Sequence, residues 1–259
     1  HSDSCSRCID GRRHGRSYGR EKTKSLNTGM GQFRSFLKES TNNVEDYLTE
    51  FGNAVVKTHQ RVKIGGKDFF VPYRFKPNCP NKMISACWQG DEPAGWLGLL
   101  EYVKKFNPEN ANVTYMPVAS KEVFESGEHE DNRGDNPNHN IPNNPSHETR
   151  MLLQSIRRWL PYAANGFLDL HEDPWRSEGY IFLWSDCKGL GSRLVHLLSK
   201  NFPLHKGGVI IQDDQGMMGD YLSKLGVQPC VTTETPVKGF DLQHRVTVNV
   251  QMIMEFLRC

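Results

Sequence analysis

The sequence predicts an α/β fold with a mixed, mostly parallel sheet and helices on both faces. Short apolar runs alternate with amphipathic segments along the chain, which is the rhythm of strands and helices in layered α/β proteins. Several of these apolar runs end in polar residues, as strands do where an α/β sheet presents its active site. With 259 residues, of which 37% are hydrophobic, the chain is long enough to bury a full core.

The N-terminal residues differ from the rest in composition. Residues 11–24 carry six arginines and lysines among glycine and serine, a composition too polar to pack. We therefore predict that residues 1–25 form a disordered or artificial tail, with a basic interaction arm as the alternative. Residues 26–259 are predicted to form a single catalytic domain, in which N-terminal helices and a hairpin (26–81) precede a motif-bearing core (82–259).

The individual elements follow from periodicity and turn residues. Residues 55–64 and 69–75 flank Gly65-Gly66-Lys67, a pattern typical of a β-hairpin. Further strands are predicted at 82–88, 112–118, 166–171, 179–184, 209–212 and 229–235. Helices are predicted at 96–106, 146–159, 189–201 and 219–225, and the chain closes with a helix in which Val246, Val250 and Ile253 recur at helical spacing.

One connection is unusually long. Residues 119–145 are rich in Asn, Asp, Gly and Pro and show no periodicity. Long structureless connections inside compact domains are usually functional, so this segment is predicted to be a binding loop.

Charge and composition exclude some classes of protein. The net charge of +2, with acids and bases interspersed, gives no footprint for nucleic acid, and no apolar run approaches the roughly 18 to 20 residues of a membrane span. The seven cysteines form no framework spacing, so most are predicted to be free thiols, which slightly favours the cytoplasm. Because the first residue is His1, a removed signal peptide and a periplasmic location stay open.

Three polar segments follow predicted strands. They are Trp-Gln-Gly-Asp-Glu-Pro-Ala-Gly at 88–95, Asp-Leu-His-Glu-Asp-Pro at 169–174 and Thr-Thr-Glu-Thr-Pro at 232–236. Any one of them, taken alone, would more often cap a helix than bind a ligand. Their occurrence together at strand ends predicts an active site.

In their order along the chain, these segments resemble the carboxypeptidase A-like zinc peptidases. The family pattern is His-x-x-Glu after a strand, a distant His at the end of another strand, and a late Glu. The resemblance runs from about residue 82 to the C-terminus and implies that Gln89, Glu92 and His171 hold zinc. It further implies that Glu234 is the general base, which takes a proton from water and later passes it to the leaving amine.

Two positions depart from the family together. Gln89 stands where the family has a His ligand, and Asn136 stands where a carboxylate normally orients that ring. A Gln ligand has no ring N–H to orient, whereas an Asn can pair with its amide, so we interpret the site as adapted; a decayed site is the alternative. A Gln ligand also resembles the D,L-carboxypeptidases that trim peptidoglycan stem peptides.

Substrate contacts are predicted from the same resemblance. His139 replaces the Arg that clamps a terminal carboxylate in the family, while Asn138 keeps the family's amide. Arg133, in the long loop, is the predicted substitute cation and the nearest candidate for stabilising an oxyanion. Arg176 and Tyr180, which follow the ligand strand, are further candidates, with surface or core packing as the alternative for both.

The neighbours of His171 have opposite orientations if the segment is extended. Side chains alternate between the faces of a strand, so Glu172 is predicted to point away from the metal. Asp169, two residues before His171, shares its face and is a candidate to support it.

The sequence therefore predicts a zinc metallocarboxypeptidase that hydrolyses an amide bond near a peptide C-terminus, with peptidoglycan stem peptides as one substrate class. The first alternative is an N-acyl amino acid deacylase that resembles aspartoacylase and succinylglutamate desuccinylase. The second is a non-catalytic binding protein on a peptidase fold. The expected partner is a peptide or an acyl amino acid, and no feature of the sequence indicates an oligomeric state.

Overall fold

A computed structural model describes residues 43–187, 189–210 and 216–259 of the chain. The predicted basic tail at 1–25 lies outside the described residues. Among the described helices, none combines the length and the apolar composition that crossing a membrane requires.

The described strands form one sheet of eight, as the alternating pattern predicts. Along the chain they are β1 (His59–Ile64), β2 (Lys67–Pro72), β3 (Asn81–Ala86), β4 (Asn112–Met116), β5 (Phe167–Asp173), β6 (Gly179–Ser185), β7 (Leu204–Ile210) and β8 (Cys230–Pro236). Their order across the sheet is β1-β2-β4-β3-β5-β8-β6-β7.

The sheet is mixed. Strands β4, β3, β5 and β8 run parallel to one another through its centre. Strands β1 and β2 form an antiparallel hairpin, and β2 also pairs antiparallel with β4. Strand β6 is antiparallel to β8 and parallel to β7. The predicted fold class is confirmed.

The described helices are α1 (Val44–Val55), α2 (Pro93–Lys105), α3 (Lys121–Ser126), α4 (His147–Gln154), α5 (Ile156–Trp159), α6 (Leu190–Asn201), α7 (Met218–Lys224) and α8 (Leu242–Leu257). Helix α2 packs against α1 and α8, and α8 also packs against α6. This group covers one face of the sheet. Helices α4, α5 and α7 contribute to the hydrophobic cluster on the other face.

The central strands are buried on both faces, as parallel strands in α/β proteins are. Side chains of Met83, Phe167 and Cys230 from three neighbouring strands belong to the same buried cluster as Trp159. On the opposite face α2 lies so close to β5 that a Cβ on Gly95 would be 2.7 Å from the carbonyl oxygen of Leu170. This approach places the start of α2 directly beside the end of β5.

Several predicted boundaries differ from the structure, and the first is the start of the hairpin, where Val55 ends helix α1 and β1 begins only at His59. The predicted loop 119–145 contains the short helix α3, and the predicted helix 146–159 is interrupted at Ser155, whose φ of −98° and ψ of 9° leave the helical region. Strand β7 begins at Leu204 rather than at residue 209. That strand pairs on one side with β6, and its exposed Lys206 and Gly207 carry no hydrophobic alternation for sequence reasoning to detect.

Candidate active site

The three polar segments meet at one edge of the sheet. They follow or end β3, β5 and β8, which are adjacent parallel strands. Because parallel strands present their carboxyl ends at the same edge, residues far apart in sequence converge there.

Gln89 reaches the site through a tight turn after β3. Cys87 adopts a φ of 56°, which is uncommon for a residue with a side chain. The next part of the turn is held by Gly90, whose N–H donates to the carbonyl of Glu128 at 2.7 Å, and whose missing side chain leaves room for the backbone of Val123. Gln89 is consequently buried, at 4% exposure.

The amide of Gln89 has two different ends. Its Nε2 donates to Oδ1 of Asn136 at 2.8 Å, so the amide pair expected from the two departures is present. Its Oε1 is buried and has no hydrogen-bond partner among the described residues. A buried acceptor without a partner destabilises the fold by about 1–3 kcal/mol, which requires an explanation.

Glu92 occupies the N-cap position of α2, immediately before Pro93, but its side chain makes no capping hydrogen bond. Its Oε2 instead lies 2.8 Å from Nδ1 of His171 and accepts the backbone N–H of Glu172 at 3.2 Å. The carboxylate therefore faces the site and not the helix end.

His171 is oriented from its other side by the residue two positions earlier. Its Nε2 lies 3.1 Å from Oδ2 of Asp169, and Asp169 is itself held by the indole N–H of Trp88 at 2.9 Å. Burial opposes a charge on His171, but the carboxylates of Asp169 and Glu92 outweigh it and raise the pKa of the imidazole well above its usual value. Asp169 is thus placed to direct Nδ1 of His171 toward Glu92.

Glu234 lies beside His171 because of strand register. It is the direct partner of His171 across the parallel β5–β8 pair, so both side chains emerge on the same face. Glu234 is buried at 7% exposure. Burial, reinforced by the neighbouring carboxylates of Glu92, Asp173 and Asp169, raises its pKa well above the usual value.

These donors fit zinc. Catalytic zinc sites use three protein ligands with nitrogen or oxygen donors and keep one position open. Gln89 offers a buried oxygen that no other described residue contacts by a hydrogen bond, and Glu92 and His171 present an oxygen and a nitrogen 2.8 Å apart. An ion would supply the missing partner of Gln89 and would separate the charges of the other two.

A further group adjoins this set. One ligand atom each of Asp91, Glu92 and His129 lies within 4.8 Å of the others. His129 lies in the predicted binding loop, with Nδ1 3.1 Å from Oδ1 of Asp91 and Nε2 3.1 Å from Nδ2 of Asn136. Sequence reasoning did not single out His129, because its contacts depend on how the loop folds; its place between Glu128 and Glu130 in that loop was the one available signal.

The predicted substrate residues of the loop fall into two environments. Arg133 and His139 are exposed. Asn138 is buried, with Nδ2 2.9 Å from Nε2 of His171 and 3.1 Å from Oδ2 of Asp169, and its Oδ1 accepts the N–H of Met218 at 2.8 Å. Its amide therefore has protein partners at both ends, and its contact with substrate stays a prediction.

The two candidates after β5 share a carboxylate. Tyr180 donates to Oδ2 of Asp173 at 2.8 Å, and Nε of Arg176 lies 2.9 Å from the same oxygen. Tyr180 is buried, whereas the Arg176 side chain is 44% exposed. Beside them Trp175 is 66% exposed and meets the ring of His129 edge-on, with centroids 4.9 Å apart, which marks the rim of the site.

Glu172 points away from the predicted metal ligands, as expected from its position next to His171. Its Oε2 accepts the N–H of Ala94 at 2.6 Å, and its Oε1 pairs with the guanidinium of Arg245 in α8. Glu172 therefore links β5, α2 and α8 behind the site.

Comparison with known proteins finds similarity in structure. No protein-family model matches the sequence, and no curated protein matches it either. A candidate metallopeptidase from Shewanella denitrificans OS217 superposes with a TM-score of 0.76 at 22% identity, covering 83% of this chain and 89% of the other. A metallo-carboxypeptidase from Burkholderia cenocepacia superposes with a TM-score of 0.64 at 14% identity, covering 83% of this chain and 68% of the other.

A third similar structure is the murein-tripeptide amidase MpaA from Escherichia coli O157. It gives a TM-score of 0.56 at 18% identity, covering 74% of this chain and 86% of the other. Similarity at these identities establishes the fold. The chain has the mixed α/β fold of metallopeptidases and metallo-carboxypeptidases, which confirms at the level of the fold the resemblance predicted from the three motifs.

Proposed function

We propose that this protein is a zinc-dependent metallocarboxypeptidase that hydrolyses an amide bond near the C-terminus of a peptide, with peptidoglycan stem peptides as its substrate class. The observation that carries the proposal is the buried Oε1 of Gln89, which has no partner in the part of the chain that the structure describes. It lies at the sheet edge where Glu92 and His171 meet and where Glu234 is in register with His171. Three metal donors and one carboxylate base are the parts that metal-assisted amide hydrolysis requires.

Each residue has a distinct task in this mechanism. Zinc bound by Gln89, Glu92 and His171 would polarise the scissile carbonyl and lower the pKa of water. The carboxylate of Glu234 accepts the proton of the attacking water and returns it to the leaving nitrogen. Asp169 holds the ring of His171 in the orientation in which Nδ1 faces the other ligands.

The substrate class follows from what surrounds the ligands. His139, rather than an arginine, stands at the position that clamps a terminal carboxylate in the family, which argues against classical C-terminal recognition. The exposed cations Arg133 and Arg176 are the proposed contacts for substrate carboxylates. The resemblance of Gln89 to the ligand of D,L-carboxypeptidases supports the stem peptide, and the murein-tripeptide amidase with a similar fold is consistent with it.

The second candidate, an N-acyl amino acid deacylase, would use the same metal set and the same base. A product assay separates the two. Zinc-loaded protein is incubated in parallel with muropeptides and with simple acyl amino acids, and the products are identified by mass. We expect loss of a terminal residue from a stem peptide; release of a free acyl group would favour the deacylase, and no product from either set would favour the binding protein.

Two variants test the residue roles. Glu234→Gln keeps the shape of the side chain while removing the proton acceptor, so single-turnover rates should fall by about 10²- to 10⁴-fold with zinc content unchanged. His171→Ala should abolish zinc binding, whereas His147→Ala, on the exposed start of α4, is the matched control. Near-wild-type turnover in the Glu234 variant, or full zinc content in the His171 variant, would overturn the corresponding assignment.

A further inference from the structure

The amide of Gln89 can act as a metal ligand through its oxygen, so the direction of that amide decides whether the site works. Primary amides are nearly symmetric in shape, and a reversed Gln89 would present its NH₂ group to the metal. Some feature of the protein must therefore discriminate between the two directions.

The direction of the Gln89 amide is set first by a backbone N–H, which can only donate. The backbone N–H of Asn138 donates to a side-chain atom of Asn136 at 2.9 Å, which identifies that atom as the oxygen Oδ1. The same oxygen lies 2.8 Å from the amide of Gln89, which must therefore present Nε2 to it. The Oε1 atom of Gln89 is thereby directed to the opposite side, where it is buried and finds no partner within residues 43–187, 189–210 and 216–259.

The other end of the Asn136 amide contacts His129. Its Nδ2 is a donor and lies 3.1 Å from Nε2 of His129, so that ring nitrogen must accept. The hydrogen of the neutral imidazole then resides on Nδ1, which lies 3.1 Å from the carboxylate of Asp91 and can donate to it. Every contact from Asp91 to Gln89 joins a donor to an acceptor.

Reversal of the two amides would make these contacts unfavourable. A reversed Asn136 would set its NH₂ against the N–H of Asn138, and its oxygen would demand a proton on Nε2 of His129. The neutral ring would then turn an unprotonated Nδ1 toward the Asp91 carboxylate. Each of these part-buried polar groups would lose its partner in this way, which favours the direction of the amides that the structure has.

We propose that Asp91 and His129 are positioning residues that, through Asn136, hold the oxygen of Gln89 toward the metal. The four residues Asp91, His129, Asn136 and Gln89 form what we call the amide relay. This inference rests on the proposed zinc site. It places His129 behind Asn136, which in turn contacts the ligand Gln89, although the distances of His129 to Asp91 and Glu92 would also suit a metal ligand.

The test uses zinc affinity, measured by chelator competition on metal-free protein, so no activity assay enters. His129→Leu removes both ring nitrogens and should weaken zinc binding by about 10- to 100-fold, the usual effect of losing a residue that orients a metal ligand. His129→Gln places an acceptor near the position of Nε2 and should recover most of this loss. His129→Asn mimics Nδ1, keeps the contact with Asp91 and should recover less.

Two controls make the result specific. His147→Leu alters an exposed histidine of α4 and should leave zinc affinity unchanged. X-ray absorption of the zinc-loaded protein should show one imidazole ligand, that of His171; two imidazoles, with equal losses in all three His129 variants, would mean that His129 binds the metal directly and would overturn the relay.

Failure of the relay and failure of the zinc site give different results. If Gln89→Ala leaves zinc affinity unchanged, the ligand assignment itself is wrong. If Gln89→Ala weakens binding while His129→Leu does not, the zinc site stands and the relay is refuted.

Discussion

The buried ion pair behind the candidate active site allows a test of how the segments that carry the predicted ligands are held in place. Arg245 of α8 and Glu172 of β5 have side chains that are 8% and 0% exposed. Burial raises the pKa of Glu172 to about 7 even with the guanidinium beside it. The carboxylate is therefore poorly solvated and depends on the partner for its charge.

Arg245→Met removes that partner while keeping a long apolar side chain. Breaking one side of a buried ion pair typically destabilises a protein by about 3–5 kcal/mol, because the remaining charge is left uncompensated. Glu172→Gln added to Arg245→Met removes the second charge, and the amide oxygen can still accept the N–H of Ala94. Since replacing both charges is often close to neutral, the double variant should recover most of the loss.

Urea denaturation of zinc-free protein measures these free energies of unfolding without a contribution from bound metal. Lys105→Met is the matched control, because it breaks an exposed pair with Glu101 on α2. Such helical surface pairs contribute about 0.3–0.5 kcal/mol. The reasoning fails if Arg245→Met is no more destabilising than Lys105→Met. It also fails if the double variant loses as much stability as Arg245→Met and Glu172→Gln lose separately, added together.

The remaining predictions concern the turn at Gly90, the pair formed by Gln89 and Asn136, and the buried His59. Gly90→Ala would place a Cβ 1.8 Å from the carbonyl oxygen of Val123, so we expect destabilisation of at least about 1–3 kcal/mol in thermal or urea unfolding, with weaker zinc binding because Gln89 must move. Gln89→His should retain or tighten zinc, and Asn136→Asp should orient the new ring; additive effects on affinity in the double-mutant cycle would refute the paired adaptation. Burial lowers the pKa of His59 below 6.5, so the unfolded chain binds the proton first; the stability from neutral His59 is full above pH 6.5 and lost as the pH falls toward the folded-state pKa. His59→Gln should flatten this dependence in denaturation curves recorded at several pH values, and an unchanged slope would contradict it.

The sequence alone determined the fold class and most of the elements, and it predicted a candidate site at the ends of three strands. Strands β3, β5 and β8 each contain a short apolar run that gives way to polar residues toward the end of the strand, and this change can be read directly from the sequence. The same regularity placed His171 and Glu172 on opposite sides of β5, as the structure has them. Periodicity of this kind is local, and a local rule needs no knowledge of distant residues.

The tertiary structure decided which side chains meet. The register that sets Glu234 beside His171 depends on the pairing of strands about sixty residues apart. The loop that carries His129 has no periodicity, so its contacts with Asp91 and Asn136 exist only after residues 119–145 have folded over the end of β3. Burial also depends on the tertiary structure. Nothing in the sequence distinguishes the carboxylates of Glu172 and Glu234 from others, and their pKa values rise only because helices and neighbouring strands exclude water from them.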